Sequence, residues 1–163
     1  MIYLILKIIL SVILVWFFLV TVVANLIIPN QRFQTKIMKT QKIKKQAKKL
    51  KGKTKKQTLD KIWKFVTNKY VGEPEKFKLL IIPRLFRINI DKLLDEKNYF
   101  AACHIQNKII ETLLINSGDF KKQDIKRRYY VTIWLTIHQY LVVKVEGIHY
   151  KVDPFYMVFE RTK

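Results

Sequence analysis

The sequence predicts an α+β domain carried behind an N-terminal transmembrane helix and a basic linker. Three observations predict it. An apolar run opens the chain, a Lys-rich stretch without acids follows, and the remainder passes from helical spacing to period two. The expected division is 1–29 for the transmembrane helix, 30–58 for the Lys-rich juxtamembrane linker and 59–163 for the folded domain. Helices coming first and strands later favour helices packed on an antiparallel sheet.

The first element is the run from Ile2 to Ile28, in which Lys7 is the only charge. From Ile8 to Ile28 it is long enough to cross a hydrocarbon core of about 30 Å at about 1.5 Å per residue. Pro29 ends it. A cleaved signal peptide is the competing reading, but the run exceeds the usual apolar length of about 7–15 residues. Basic residues crowd the C-terminal flank, which predicts a single-pass protein with its domain in the cytoplasm.

The second element carries most of the charge. The chain has 163 residues and a net charge of +20. Twelve Lys or Arg and no acid lie in residues 30–58, and Lys7 is one more; the other nineteen basic residues face all twelve acids, a surplus of seven. Such a stretch beside a bilayer predicts anionic lipid headgroups as partners, at about 1 kcal/mol per basic residue. Nucleic acid is the rival partner for this charge and ranks last, because the domain holds no recognisable nucleic-acid motif. Phe33, Ile37, Ile43, Ala47 and Leu50 form an apolar stripe within about 140° of a helical wheel. That stripe suits a helix lying on headgroups, or equally a solvated spacer.

The domain opens with TLDKIWKFVTNKYVG, where Thr58 is the expected N-cap and Leu59, Ile62, Trp63 and Val66 recur at helical spacing. Trp63 reads as core. Residues 76–87 read as irregular, and a short helix is expected around Asp91 to Glu96. YFAACHIQNKIIETLLINSG reads as a helix that places Cys103, Ile110, Leu113 and Leu114 on one broad face, with Gly118 as its C-cap. Beyond it, Tyr129–Ile137 and Tyr140–Val145 read as strands. Glu146-Gly147 reads as a hairpin turn, and His149–Val152 as the return.

Cys103 is the single cysteine, so no disulfide forms within the chain. One Cys and three His lack metal-ligand spacing, and no cofactor or metal is expected. A lone cysteine on an apolar helix is ordinarily a small buried hydrophobe. Its placement argues for more. A helix N-terminus offers about half a positive charge, which favours thiolate, and an imidazolium nearby adds to it. His138 and Asp153 lie on the two strands of one predicted hairpin. A two-residue turn puts them on the same face, within carboxylate–imidazole reach. A bulge at Gly147 would reverse that parity. His104 and His149 read as incidental. The basic run from Lys121 to Arg128 reads as a solvated surface that also suits anionic lipid or an acidic substrate.

Three blocks together resemble the transglutaminase-like superfamily, of papain-like fold. They are Cys103 with Leu113-Leu114 and Gly118 in CHIQNKIIETLLINSG, His138 in HQYLVVKV and Asp153 in HYKVDP. LDKIWKFVTNKY resembles the helix that opens this fold, so the likeness covers about residues 59–160. Ala101, His104 and Tyr140 stand where the family often has Gly, an acid and Trp. The resemblance implies a Cys103–His138–Asp153 catalytic triad. It implies a thiol protease or amidase, or an acyl transferase, that forms a thioester with a protein or peptide substrate. Hydrolysis is expected over transamidation, since nothing marks an amine site. The main-chain N–H of Cys103 is expected in the oxyanion hole. The alternative is a non-catalytic, membrane-anchored module that binds peptides, anionic lipid or nucleic acid.

Overall fold

The computed structural model describes residues 2–19, 36–71, 89–96, 99–132 and 137–162. Helix α1 (Ile2–Phe18) has 17 residues and buries none of them. At about 1.5 Å per residue it reaches about 26 Å, short of a hydrocarbon core of about 30 Å. The rest of the expected span falls largely in residues 20–35, outside the described residues. Among the described residues no helix is long and apolar enough to cross a membrane. The transmembrane helix, the bilayer as partner, and the single-pass localisation with a cytoplasmic domain are therefore corrected. The apolar run sets a preference for burial, whereas crossing demands a continuous helix of sufficient length.

The Lys-rich stretch is helical over α2 (Gln41–Leu50), capped by the Thr40 hydroxyl, which accepts from Ile43 N at 3.2 Å. Its apolar stripe turns onto the domain: Ile43 and Ala47 are fully buried in the core. That stripe is thus not free to lie on headgroups. Helix α3 (Lys55–Lys69) starts earlier than predicted, on Thr54. Thr58, the expected cap, is buried inside the helix and donates to Asp119 Oδ2 at 2.8 Å. Strand β1 (Tyr70–Val71) follows and runs parallel to β2 (Tyr99–Phe100). Between them the short helix α4 (Ile90–Leu93) is capped by Asn89; the segment 76–87, read as irregular, lies outside the described residues.

Helix α5 (Cys103–Asn116) is the axis of the domain. It packs against α2 and α3 on one side and the sheet on the other. Every residue from Cys103 to Leu114 is buried. A helix covered all round cannot show a clean amphipathic stripe, and this one carries polar groups inside. Gly118 follows its C-terminus at φ +82°, in the left-handed region that suits glycine.

The sheet has the order β3 (Ile125–Val131), β4 (Ile137–Val145), β5 (Ile148–Asp153), β6 (Val158–Arg161), all antiparallel. The domain is thus α+β, as its period change predicted. The first strand differs from the expected Tyr129–Ile137, ending at Val131 with a new strand from Ile137. Leu141, Val143 and Val145 face the helices and are buried. Val145 pairs with Ile148, which leaves Glu146 and Gly147 as a two-residue turn with φ of 51° and 85°. Two positive φ values are the signature of a type I′ turn, whose twist matches that of the strands. No atom lies within 4 Å of a Cβ added at Gly147, so the penalty for Gly147→Ala is conformational. It is about 1 kcal/mol, read as a lower urea midpoint at unchanged slope.

Candidate active site

Cys103 is the first residue of α5 and is 8% exposed. Ala102 precedes it in extended conformation, and its carbonyl accepts from Ile105 and Gln106. The thiol therefore sits at the positive end of the helix, where the first N–H groups have no partner within the helix.

The bulge-free hairpin sets the other two groups. Leu141 pairs with Val152, so Asp153 comes beside Tyr140 and diagonal to His138 on the same face. His138 Nε2 lies 2.7 Å from Asp153 Oδ2, with both residues buried. Asp153 Oδ1 accepts from Tyr156 N at 3.3 Å, which fixes the carboxylate. Tyr156, Tyr130 and Phe155 surround the imidazole, with ring centroids 4.6, 5.0 and 5.5 Å away. With Nε2 turned to the carboxylate, Nδ1 is the ring nitrogen that serves the thiol.

Burial pushes the Cys103 thiol up. Hydrogen bonds from His104 and His138, the imidazolium charge and the Gln139 backbone outweigh it and bring the thiol down to about 6. Burial also pushes His138 down, but the bonds to Asp153 and Cys103 carry it up to about 9. The thiol is thus the stronger acid, and thiolate beside imidazolium is the form held between about 6 and about 9. The three residues named from sequence are all brought together.

Sequence reading passed over two contributors. His104, read as incidental, bonds the thiol; its place immediately after a helix-opening cysteine was the available signal. Asn107, one turn on, donates to Gln139 O at 2.7 Å and to Gln139 Oε1 at 3.3 Å. Gln139 Nε2 in turn donates to Tyr129 Oη at 3.1 Å. One further turn on, buried Glu111 pairs with Arg127 of β3. Cys103, Asn107 and Glu111 form a polar stripe at spacing four, and each meets the sheet. A buried asparagine in an apolar helix carried no sequence mark of that role. Among the described residues no cluster of three or more His, Cys, Asp or Glu is placed to hold a metal ion.

No family model matches the chain, and no curated protein does. Among solved structures, Legionella pneumophila LapG is similar over 77% of this chain and 77% of its own, with 16% identity and a TM-score of 0.51. A structure described as Legionella pneumophila LapG (EGTA-treated) covers 77% and 76%, with 14% identity and a TM-score of 0.46. The likeness to the first is one of fold: this domain and LapG share a chain architecture at low identity.

Proposed function

We propose that the domain is a cysteine protease or amidase, with Cys103 as nucleophile, His138 as acid–base and Asp153 as the group that orients His138. The observation that carries this reading is the buried ion-paired line, in which Asp153 holds the ring at 2.7 Å and the ring bonds a thiol lowered to about 6. A thiol serving only as a small hydrophobe would be raised by burial, not lowered.

In this reading Sγ of the Cys103 thiolate attacks the amide carbonyl carbon. The charge passes to the carbonyl oxygen, where the main-chain N–H of Cys103 stabilises it. The imidazolium gives its proton to the departing amine as the C–N bond breaks, leaving a thioester. His138, now neutral, takes a proton from water, whose oxygen attacks the thioester. Sγ departs as thiolate, and the imidazolium is restored. Asp153 keeps Nε2–H in place and stabilises the ring's charge without taking the proton. Water is the favoured acceptor; an amine in its place gives transamidation.

The test is digestion of a proteome-derived peptide library by the wild-type chain and by Cys103→Ala, with new N-termini counted by mass spectrometry. Cleavages present only with wild type support the proposal. Equal yields from both chains would overturn it.

A further inference from the structure

Strand alternation divides the basic run of β3 into two sets. Arg127 faces α5 and pairs with buried Glu111. Lys126 and Arg128 fall on the opposite face and are exposed. The register extends that outer face across the sheet: Lys126 stands opposite Val142 and Arg128 opposite Tyr140, while Val142 stands opposite Lys151 and Lys144 opposite His149. Glu160 is its one exposed acid among the described strand residues, and it lies 3.5 Å from Lys151. Lys126, Arg128 and Lys144 make no ion pair among the described residues. At the turn end the face sinks into a basin of about 430 Å³, lined by Gln123, Asp124, Lys126, Val142, Lys144 and His149.

The same parity places His138 on this face, six residues before Lys144 on β4. At about 3.3 Å per residue the two are about 20 Å apart. We infer that the outer sheet face docks an acidic, extended polypeptide segment that leads away from the His138–Asp153 pair. That this segment belongs to the substrate rests on the protease reading above. Residues two apart in an extended chain repeat about every 6.6 Å, as do Tyr140, Val142 and Lys144 beneath it. Acidic side chains meet Lys126, Arg128 and Lys144 there, and half-buried Val142 offers an apolar strip between them. A nucleic acid would use the aromatic ring as a stacking platform. Here the Tyr140 ring has Lys151 Nζ 5.4 Å from its centroid, so a cation occupies it.

The experiment uses the full chain carrying Cys103→Ala, so that binding is read without chemistry. The probe is fluorescein-labelled hexaglutamate, followed by anisotropy at about 0.1 M salt, where the Debye length is about 10 Å. Lys126→Glu/Arg128→Glu/Lys144→Glu should weaken binding at least tenfold. Lys45→Glu/Lys48→Glu/Lys49→Glu has the same net charge, lies on exposed positions of α2, and should weaken it less than threefold. Equal losses in the two variants, or none in the first, overturn the inference. So does tighter binding of oligothymidylate, or of phosphatidylserine vesicles, than of hexaglutamate at the same face. Among cleavages made by the wild-type chain, acids should be enriched about five to seven residues from the cut, as the 20 Å span requires. If no cleavage occurs at all, the protease reading fails and the binding comparison still decides the docking face.

Discussion

Replacing His138 with alanine should move the midpoint of Cys103 alkylation by iodoacetamide from about 6 to beyond about 8.5, the value of a free thiol. The variant loses both the hydrogen bond and the positive charge that His138 gives to sulfur, while burial, which pushes the thiol up, remains. His104 still bonds the sulfur and limits the rise. The midpoint is the quantity to follow, because a thiolate of higher pKa is also the stronger nucleophile and partly restores the rate at any one pH. Turnover has no such compensation. With no group to protonate the leaving amine, hydrolysis should fall by about 10²–10⁴-fold. In the wild-type chain the rate should climb as pH rises through about 6, where the thiol ionises, and fall through about 9, where His138 loses its proton. Because the two groups interact, these limbs belong to the pair. Asp153→Asn keeps the shape but removes the charge behind the ring, so the alkaline limb should shift to lower pH. A midpoint near 8.5 in the wild-type chain, unchanged by His138→Ala, would sink the assignment of the site.

Arg127→Ala should be the most destabilising change among the charged residues, costing about 3–5 kcal/mol, the usual penalty when one partner of a buried pair is removed. Glu111 is 2% exposed and in the middle of α5, with the Arg127 guanidinium on its Oε2 and Lys122 Nζ 3.9 Å from its Oε1. Removing the guanidinium leaves a buried carboxylate with the half-exposed Lys122 Nζ 3.9 Å away and the buried Lys108 ammonium as its remaining counter-charges. Lys108 shows the same surroundings from the other sign. Burial brings it down to about 8 despite Glu111, with Arg127 and Lys122 adding to the fall. Urea unfolding of Arg127→Ala, Glu111→Gln and the double variant measures the pair. The double variant should recover at least 1 kcal/mol relative to Arg127→Ala, because it no longer buries an unmatched charge. If Arg127→Ala costs under 1 kcal/mol, the ion pair is not what holds β3 to α5.

The two predictions draw on parts of the chain that were unequally readable. The start of α5 was not legible, since the apolar residues from Tyr99 extend its helical reading, yet Tyr99–Phe100 form β2 and the helix opens at Cys103. The turn at Glu146-Gly147 was legible, because it is local and two positive φ values need a glycine nearby. The pairing of His138 with Asp153 followed from that turn by parity alone. Strand β3 was misplaced because Lys126, Arg127 and Arg128 break the β-branched pattern; one face of an exposed strand can be entirely charged, and Arg127 on the other is paid for by a residue on a different element. The expected span over Ile8–Ile28 is corrected on the described residues alone, where the apolar helix covers 17 residues, Ile2–Phe18. In α2, a low density of apolar residues concealed that two of them, Ile43 and Ala47, are fully buried.

The polar stripe of α5 makes that helix behave as a key with three teeth. Cys103 engages His138, Asn107 the Gln139 peptide, and Glu111 the guanidinium of Arg127. Sliding or turning α5 on the sheet would break all three at once, and solvent has no edge from which to loosen it because Cys103 to Leu114 are covered all round. Its amides then exchange with solvent mainly through opening of the whole domain. The Cys103 thiol is thereby built into the most cooperative part of the fold, so heat or denaturant should remove the lowering of its pKa and the tertiary structure in a single step.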